Sequence, residues 1–273
     1  TAVPIARTLT YESDRAKLPD HRDFCLREQV DGSWEVPNFF DPDPRFDCVR
    51  IEAAQEHVRR LAAIHSCDWQ ALGFGELMRV PAGPADCAHA AIERNLDELA
   101  RFQFEPILVM TEAREWLHDH APIAPRISLL KGTNGLGEEV FRDGRIVAMS
   151  DWEQASLGDP ASDFARTQDF FTDIVRDGQT IWSLQHALDY YEAVSGIRIP
   201  VSSVEYYRSF NGFENIVALH HAAKAIAEGS DLLVRLTWLS TEVLHYGQLL
   251  LLAAMANRSA DSSVFYSTKT SKA

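Results

Sequence analysis

Two short stretches near the middle of the chain contain residue types that phosphoryl-transfer chemistry needs. The first is residues 131–138, with the sequence KGTNGLGE, and the second opens at residues 151–153 with DWE. Phosphoryl transfer requires a carboxylate that holds a metal ion, a residue that orients the nucleophile, and donors that screen the phosphate charge. Because the side chains of both stretches could fill those roles, we treat them as two loops of one candidate site.

Predicted strands position these two loops. Residues 126–130 and 145–149 have the composition of short strands, and residues 138–141 with the turn Asp143-Gly144 predict a β-hairpin between them. We expect the two loops to leave neighbouring strands on the same side. Both loops would then present their side chains to a common pocket.

Helical periodicity dominates the rest of the chain. Apolar residues that recur from Ile51 to Ile64 predict a first helix with Asp47 as its N-cap. Further helices are predicted at residues 92–99, 106–117, 161–176, 180–195, 201–228 and 231–256. Residues 3–30 predict a small β segment of strands and turns, and the Ser/Thr/Lys-rich residues 258–273 predict a flexible tail. The pattern indicates an α+β fold that is mostly helical.

The composition excludes several classes of protein. The 273 residues include 40 acidic and 26 basic side chains, which gives a formal net charge of −14. A surface of that sign repels nucleic-acid phosphates and anionic lipids, so neither is an expected partner. The longest apolar stretch is about half of what spans a bilayer, and the four cysteines show no CxxC spacing. We therefore expect a cytoplasmic protein with reduced thiols and no membrane segment.

The second stretch continues into a longer motif. Residues 151–165 read DWEQASLGDPASDFA, which is similar to the motif DWE-x-A-x-LGDP-x-x-D-x-A of the aminoglycoside phosphotransferase and choline kinase-like family, a branch of the protein-kinase-like fold. The resemblance is nearest to bacterial and acyl-CoA-dehydrogenase-linked members, and weaker similarity covers residues 24–32, 61–69 and 206–228. It implies that residues 1–32 are a remnant of the amino-terminal lobe and its hinge strands. Residues 33–257 would form the mostly helical carboxyl-terminal lobe, with the central β-hairpin bearing the site.

The resemblance also implies roles for individual residues. Asp151 would hold Mg²⁺ against the phosphates of ATP, with Glu153 beside it on the same loop. Asp163 would brace the catalytic loop rather than act on substrate. The backbone at Glu28 and Val30 would form the hinge that meets the adenine ring.

The first stretch departs from the family pattern. Family members read H-G-D-x-x-x-x-N here, whereas this chain has Lys131 for the His, Thr133 for the catalytic Asp, and Glu138 for the metal-binding Asn. One interpretation is a rewired site with Asp151 and Glu138 on the metal, because Mg²⁺ prefers oxygen ligands. Lys131 would then face a phosphate, and Thr133 or Asn134 the substrate.

A second departure concerns the nucleotide clamp. The chain starts where the hinge strands of the family start, so the glycine-rich phosphate loop and the ATP-holding lysine have no counterpart in it. A general base contributes about 10²–10⁴-fold, and positioning and charge stabilisation supply most of the remaining acceleration. We therefore expect weak Mg·ATP binding and little turnover from the chain as it stands.

Two functions remain open at this point. The first is an ATP-dependent small-molecule kinase that acts on a hydroxyl compound. The alternative is a catalytically inactive pseudokinase that serves as a binding or scaffolding module for a protein partner, and a homodimer is an option for either. Simpler interpretations also stand: Asp151 could cap the turn that follows it, and residues 131–135 could form an ordinary Gly/Asn turn.

Overall fold

The computed structural model describes residues 3–17, 23–103, 106–229, 237–239 and 243–256. Among these, the residues up to Cys87 and those from Ala124 to Val204 form one compact unit. The residues from Ala88 to Ile123 and those from Glu205 onward form a second. Every candidate site residue lies in the first unit. The predicted tail, residues 258–273, lies outside the described residues.

The strands of the described residues are short. They are β1 (Thr8–Glu12), β2 (Phe24–Arg27), β3 (Ser128–Leu130), β4 (Glu139–Arg142), β5 (Arg145–Met149), β6 (Ser156–Gly158), β7 (Ile174–Arg176) and β8 (Gln179–Trp182). The helices are α1 (Asp47–His65), α2 (Phe74–Leu77), α3 (Cys87–Phe102), α4 (Leu108–Asp119), α5 (Ala161–Arg166), α6 (Leu184–Ser195), α7 (Val201–Ala227) and α8 (Leu244–Met255). Single 3₁₀ turns occur at Arg15–Lys17, Pro44–Phe46, Pro84–Asp86 and Asp169–Phe171.

The strands pair antiparallel into separate two-stranded sheets. The pairs are β1 with β2, β3 with β6, β4 with β5, and β7 with β8. The predicted central hairpin is confirmed as β4–β5, and its turn residues Asp143 and Gly144 have φ angles of 51° and 70°. The expectation that both loops leave neighbouring strands is wrong, because β3, which precedes the first loop, pairs with β6 rather than with β5.

Helix α1 forms where the apolar periodicity predicts it. Val58, Leu61 and Ile64 are fully buried on one face, as expected for an amphipathic helix against a core. The prediction of Asp47 as N-cap is wrong. The N-cap is Phe46, whose side chain makes no capping hydrogen bond. The Asp47 carboxylate does not cap the helix either, since it accepts two hydrogen bonds of 2.6 Å from Arg176.

The segment after residue 160 differs from the two helices predicted for 161–176 and 180–195. Helix α5 ends at Arg166, and the β7–β8 hairpin follows before α6 begins at Leu184. The hairpin turns at Asp177 and Gly178, whose φ angles are 50° and 76°. An Asp-Gly pair between β-branched residues favours such a turn over a continuing helix.

The second unit is helical in its described part. Helix α7 matches the predicted 201–228 closely, whereas the predicted 231–256 is described as a helix only at Leu244–Met255 and falls partly on residues that are not described. Phe213 and Ile216 on α7 are fully buried. None of the described helices is both long and apolar enough to cross a membrane.

Candidate active site

Asp163 organises the first loop from beneath. Its carboxylate accepts hydrogen bonds from the backbone amides of Lys131 (2.8 Å) and Gly132 (2.9 Å) and from His65 Nε2 (3.0 Å). The predicted bracing role of Asp163 is thereby confirmed. Burial alone would raise the pKa of Asp163, but the hydrogen bond and charge of His65 and the two amides hold that pKa below its ordinary value. His65 is fixed in turn by the Tyr191 hydroxyl, 2.9 Å from its Nδ1.

Gly132 sets the approach of the first loop to the second. Its φ is +78°, and a Cβ at this position would lie 2.5 Å from the carbonyl oxygen of Gln154. Only glycine combines that backbone conformation with so close a contact. The glycine therefore brings residues 131–135 directly against the segment that follows Asp151.

Lys131 joins the two loops through its side chain. The residue is fully buried, and its Nζ donates to the carbonyl oxygens of Thr133 and of Asp151, the latter at 3.2 Å. The same ammonium lies 5.6 Å from the centre of the Trp152 ring, within the range of a cation–π contact. Burial lowers the pKa of Lys131, although the nearby carboxylates, Glu139 foremost, act against that shift.

Glu138 and Asp151 form the acidic part of the site. The Ser150 amide donates to the Glu138 carbonyl over 2.8 Å, which ties the end of the first loop to the start of the second. Asp151 has a φ of 55°, a conformation that is uncommon outside glycine and is often found at functional positions. Burial raises the pKa of Glu138, and the charge of Asp151 raises it further, with a smaller contribution from Glu153. The neighbouring negative charges therefore disfavour ionisation of Glu138.

The carboxylates of Glu138 and Asp151 offer the oxygen ligands that a divalent cation such as Mg²⁺ prefers. Mg²⁺ in nucleotide sites is commonly bound through one or two carboxylates and completes its shell with phosphate oxygens and water. Across the described ranges, no group of three or more His, Cys, Asp or Glu side chains is arranged to hold a metal by itself. An ion at Glu138 and Asp151 would accordingly depend on phosphate oxygens and water for part of its shell.

Thr133 and Asn134 follow Gly132 in the first loop. The Asn134 amide donates to the carbonyl oxygens of Gly132 (2.9 Å) and Asp163 (3.3 Å), so its nitrogen stabilises the loop itself. Asn134 Oδ1 and Thr133 Oγ1 are buried and have no hydrogen-bond partner within the described part of the chain. Both oxygens are therefore buried polar groups that the described fold does not satisfy.

The predicted hinge connects to the hairpin rather than standing alone. The Glu28 amide donates to the Arg7 carbonyl (2.9 Å), so that amide is used within the β1–β2 segment. Ser33 and Phe141 exchange backbone hydrogen bonds of 2.9 and 2.6 Å, which link the segment after Val30 to β4. Two residues before Asp151, the Met149 amide donates to the Pro4 carbonyl over 2.9 Å. The adenine contact predicted for Glu28 and Val30 stays a prediction.

Helix α1 supplies two residues that the sequence reasoning missed. The fully buried Glu56 accepts from the Ile146 amide (3.1 Å) and from Arg145 (3.2 Å) at the start of β5. His57 Nδ1 donates to Glu139 over 2.6 Å at the start of β4. Their partners lie 82 to 90 residues away along the chain. No local pattern could mark these residues, since the pairing is visible only in the folded protein.

Comparison with known proteins identifies a family for most of the chain. The sequence model described as "Phosphotransferase enzyme family" matches residues 1–196. No curated protein matches the sequence significantly.

Solved structures of related fold include three bacterial proteins. A candidate aminoglycoside phosphotransferase from Ralstonia eutropha JMP134 superposes with a TM-score of 0.70 and 22% identity, over 94% of this chain and 79% of the other. Macrolide 2′-phosphotransferase MphH from Brachybacterium faecium gives 0.51 and 16%, over 95% and 75%. A choline/ethanolamine kinase family protein from Mesorhizobium loti gives 0.53 and 11%, over 93% and 78%. At these identities the likeness shows a protein-kinase-like fold.

Proposed function

The chain belongs to the phosphotransferase enzyme family, and we propose that it acts as a kinase-like phosphotransferase that directs a phosphoryl group from Mg·ATP to a hydroxyl of a small molecule. The observation that carries the proposal is the pair of loops joined by Lys131, whose Nζ donates to a carbonyl oxygen of each, with Glu138 at the end of one loop and Asp151 at the start of the other. Small-molecule substrates are supported by relatives of the same fold, one described as a macrolide 2′-phosphotransferase and one as a choline/ethanolamine kinase family protein.

The residues of the site have distinct roles in this proposal. Asp151 and Glu138 hold Mg²⁺, with Glu153 nearby, and the ion when bound screens the negative charge of the phosphates. Lys131 mainly positions both loops. Because an ammonium has three donors and two are used on carbonyl oxygens, one donor remains for a phosphate oxygen. The free oxygens of Thr133 and Asn134 bind and orient the substrate hydroxyl.

The altered loop sets an upper limit on the rate. Thr133 carries a hydroxyl where the family motif has a carboxylate, so the substrate hydroxyl must lose its proton without a general base at this position. Such a base contributes about 10²–10⁴-fold. We therefore expect slow turnover.

A pseudokinase is the second candidate, and the orientation of Asn134 favours it. Its amide is used on the carbonyl oxygens of Gly132 in the loop and of Asp163 on α5, and neither Thr133 nor Asn134 is ionisable. A chain of this kind would retain the cleft for binding while lacking transfer activity.

Calorimetric titration with Mg·ATP tests the metal assignment, with Asp151→Asn as the test variant and Asp143→Asn as its control. Both aspartates have a positive φ and belong to neighbouring parts of the same hairpin region. The control therefore replaces a carboxylate by an amide at a similar backbone conformation without touching the site. We expect weak binding that Asp151→Asn abolishes and Asp143→Asn preserves. Equal binding by the Asp151→Asn variant would show that the metal assignment is wrong.

Product analysis by ³¹P NMR, with a set of hydroxyl compounds, separates the two candidates. A new phosphate ester that depends on Asp151 supports the enzyme. Asp151-dependent binding of Mg·ATP with no ester formed from any compound supports the pseudokinase.

A further inference from the structure

Two histidine rings of the second unit are in direct contact. His89 on α3 and His118 on α4 place their Nδ1 atoms 2.7 Å apart. The ring centres are 4.9 Å apart and the planes differ by 14°. The ring centres are farther apart than the two Nδ1 atoms by nearly two ring radii. This difference means that the two Nδ1 atoms point at each other. The rings meet head to head rather than face to face.

The neighbouring carboxylate fixes which nitrogens carry protons. Glu93 Oε1 lies 3.0 Å from His118 Nε2 and also accepts from Arg114 over 3.3 Å. His118 Nε2 therefore carries a hydrogen and its Nδ1 presents a lone pair. His89 Nδ1 must supply the single proton between the rings, since two hydrogens or two lone pairs would repel.

We propose that His89 and His118 form a binding site for a transition-metal ion such as Zn²⁺, Ni²⁺ or Cu²⁺, which replaces the shared proton. Imidazole nitrogens suit these ions, and a metal-binding histidine commonly donates its other nitrogen to a carboxylate, as His118 does to Glu93. On binding, His89 changes tautomer: its Nδ1 proton leaves to solvent while its Nε2 takes up a proton from solvent, so both rings stay neutral and both Nδ1 lone pairs face the ion. The inference is independent of the proposed phosphotransferase function.

Binding requires both side chains to move. Zn–N bonds of about 2.0–2.1 Å in a tetrahedral shell put two nitrogens roughly 3.3 Å apart, so the present 2.7 Å must widen by about 0.6 Å and both rings must rotate until their Nδ1 lone pairs converge on the ion. The side chain of His118 is 28% exposed and His89 is half-buried, which leaves room for such a movement and a path for the ion. Since the described residues contain no group of three ligands, water completes the shell.

Zinc titration of chelator-treated protein, followed by calorimetry, tests the site. We expect one ion per chain, with affinity reduced at least tenfold by His89→Gln and by His118→Gln. Glu93→Gln should cost about 10–100-fold, the usual effect of losing the carboxylate behind a ligand. The control is His120→Gln, which removes an exposed imidazole that bonds the Trp116 carbonyl on the same helix and should leave the affinity unchanged.

Unchanged zinc affinity in both the His89 and His118 variants, or no binding by the unaltered protein, would overturn the proposal. Electron paramagnetic resonance of the unaltered protein with one equivalent of Cu²⁺ gives an answer that does not depend on the variants folding. Coupling of the copper to two imidazole nitrogens is expected. A spectrum without nitrogen coupling would contradict the site.

Discussion

The ammonium group of Lys131 donates to carbonyl oxygens of both loops of the candidate site, one at Thr133 and one at Asp151. A neutral side chain at this position could not screen the carboxylates that surround it, and a shorter one could not reach both loops. The family motif has a histidine here, so the lysine is a change in the loop that creates new contacts of its own. At the scale of single residues, one cation and one glycine bring the two loops together, in addition to the hydrogen bond from the Ser150 amide to the Glu138 carbonyl.

Replacing Lys131 tests whether its ammonium group bridges the two loops. Lys131→Met keeps an unbranched apolar stem but leaves the buried carbonyl oxygens without their donor, which should lower the free energy of unfolding by about 1–3 kcal/mol. Urea denaturation measures the change. Lys224→Met is the control, because Lys224 donates to an exposed carbonyl at 3.4 Å, and its loss should cost no more than about 0.5 kcal/mol. Equal costs for the two variants would count against a bridging role of Lys131.

Glu138→Gln should separate stability from metal binding. The pKa of Glu138 is raised in the folded protein, so the folded state binds its proton more tightly than the unfolded state does. Stability then falls as the pH rises from about 4.5, the ordinary value, through the higher folded value. At pH 7 the metal-free variant should melt at a higher temperature than the unaltered protein, while its Mn²⁺ affinity falls. Melting curves from pH 4 to 8 check this, and a lower melting temperature at pH 7 would contradict it.

At the scale of elements, α1 holds both strands of the hairpin that bears Glu138 and Asp151. Glu56 bonds the start of β5 and His57 bonds the start of β4, while the apolar side chains of the same helix pack into the core. The helix is thus a support for the site as well as part of the core.

Glu56→Ala should be strongly destabilising. It removes the acceptor of Arg59, Arg60, Arg145 and the Ile146 amide in one step. Breaking a buried charge pair on one side typically costs about 3–5 kcal/mol. Glu52→Ala on the exposed side of α1 should change the free energy of unfolding by less than about 0.5 kcal/mol. Similar unfolding midpoints in denaturant for the two variants would show that Glu56 does not support the hairpin.

Local patterns explain which elements could be predicted. The apolar spacing of α1 and the Asp-Gly turn of β4–β5 depend on residues near each other in sequence, and both predictions were right. The β7–β8 hairpin was missed because its short β-branched strands resemble buried helix segments. The sequence predicts Asp47 as the N-cap of α1 because nothing nearby indicates that its partner is Arg176, 129 residues away.

At the scale of the whole molecule, the first unit brings residues from distant parts of the chain to one site. His65 reaches Asp163 across 98 residues, and Asp163 reaches the Lys131 amide across 32. The specific motif at residues 151–165 made the bracing role of Asp163 predictable. The link through Lys131 was not, because its acceptors are backbone carbonyl oxygens, which leave no trace in the sequence.

Glu138 and Asp151 should act as one metal-binding pair. Calorimetric titration of Mg·ATP into the unaltered protein, Asp151→Asn, Glu138→Gln and the double variant measures whether their effects are coupled. We predict that either single change removes nearly all of the affinity and that the second change adds little. Independent, additive losses, or full affinity in both single variants, would contradict the account.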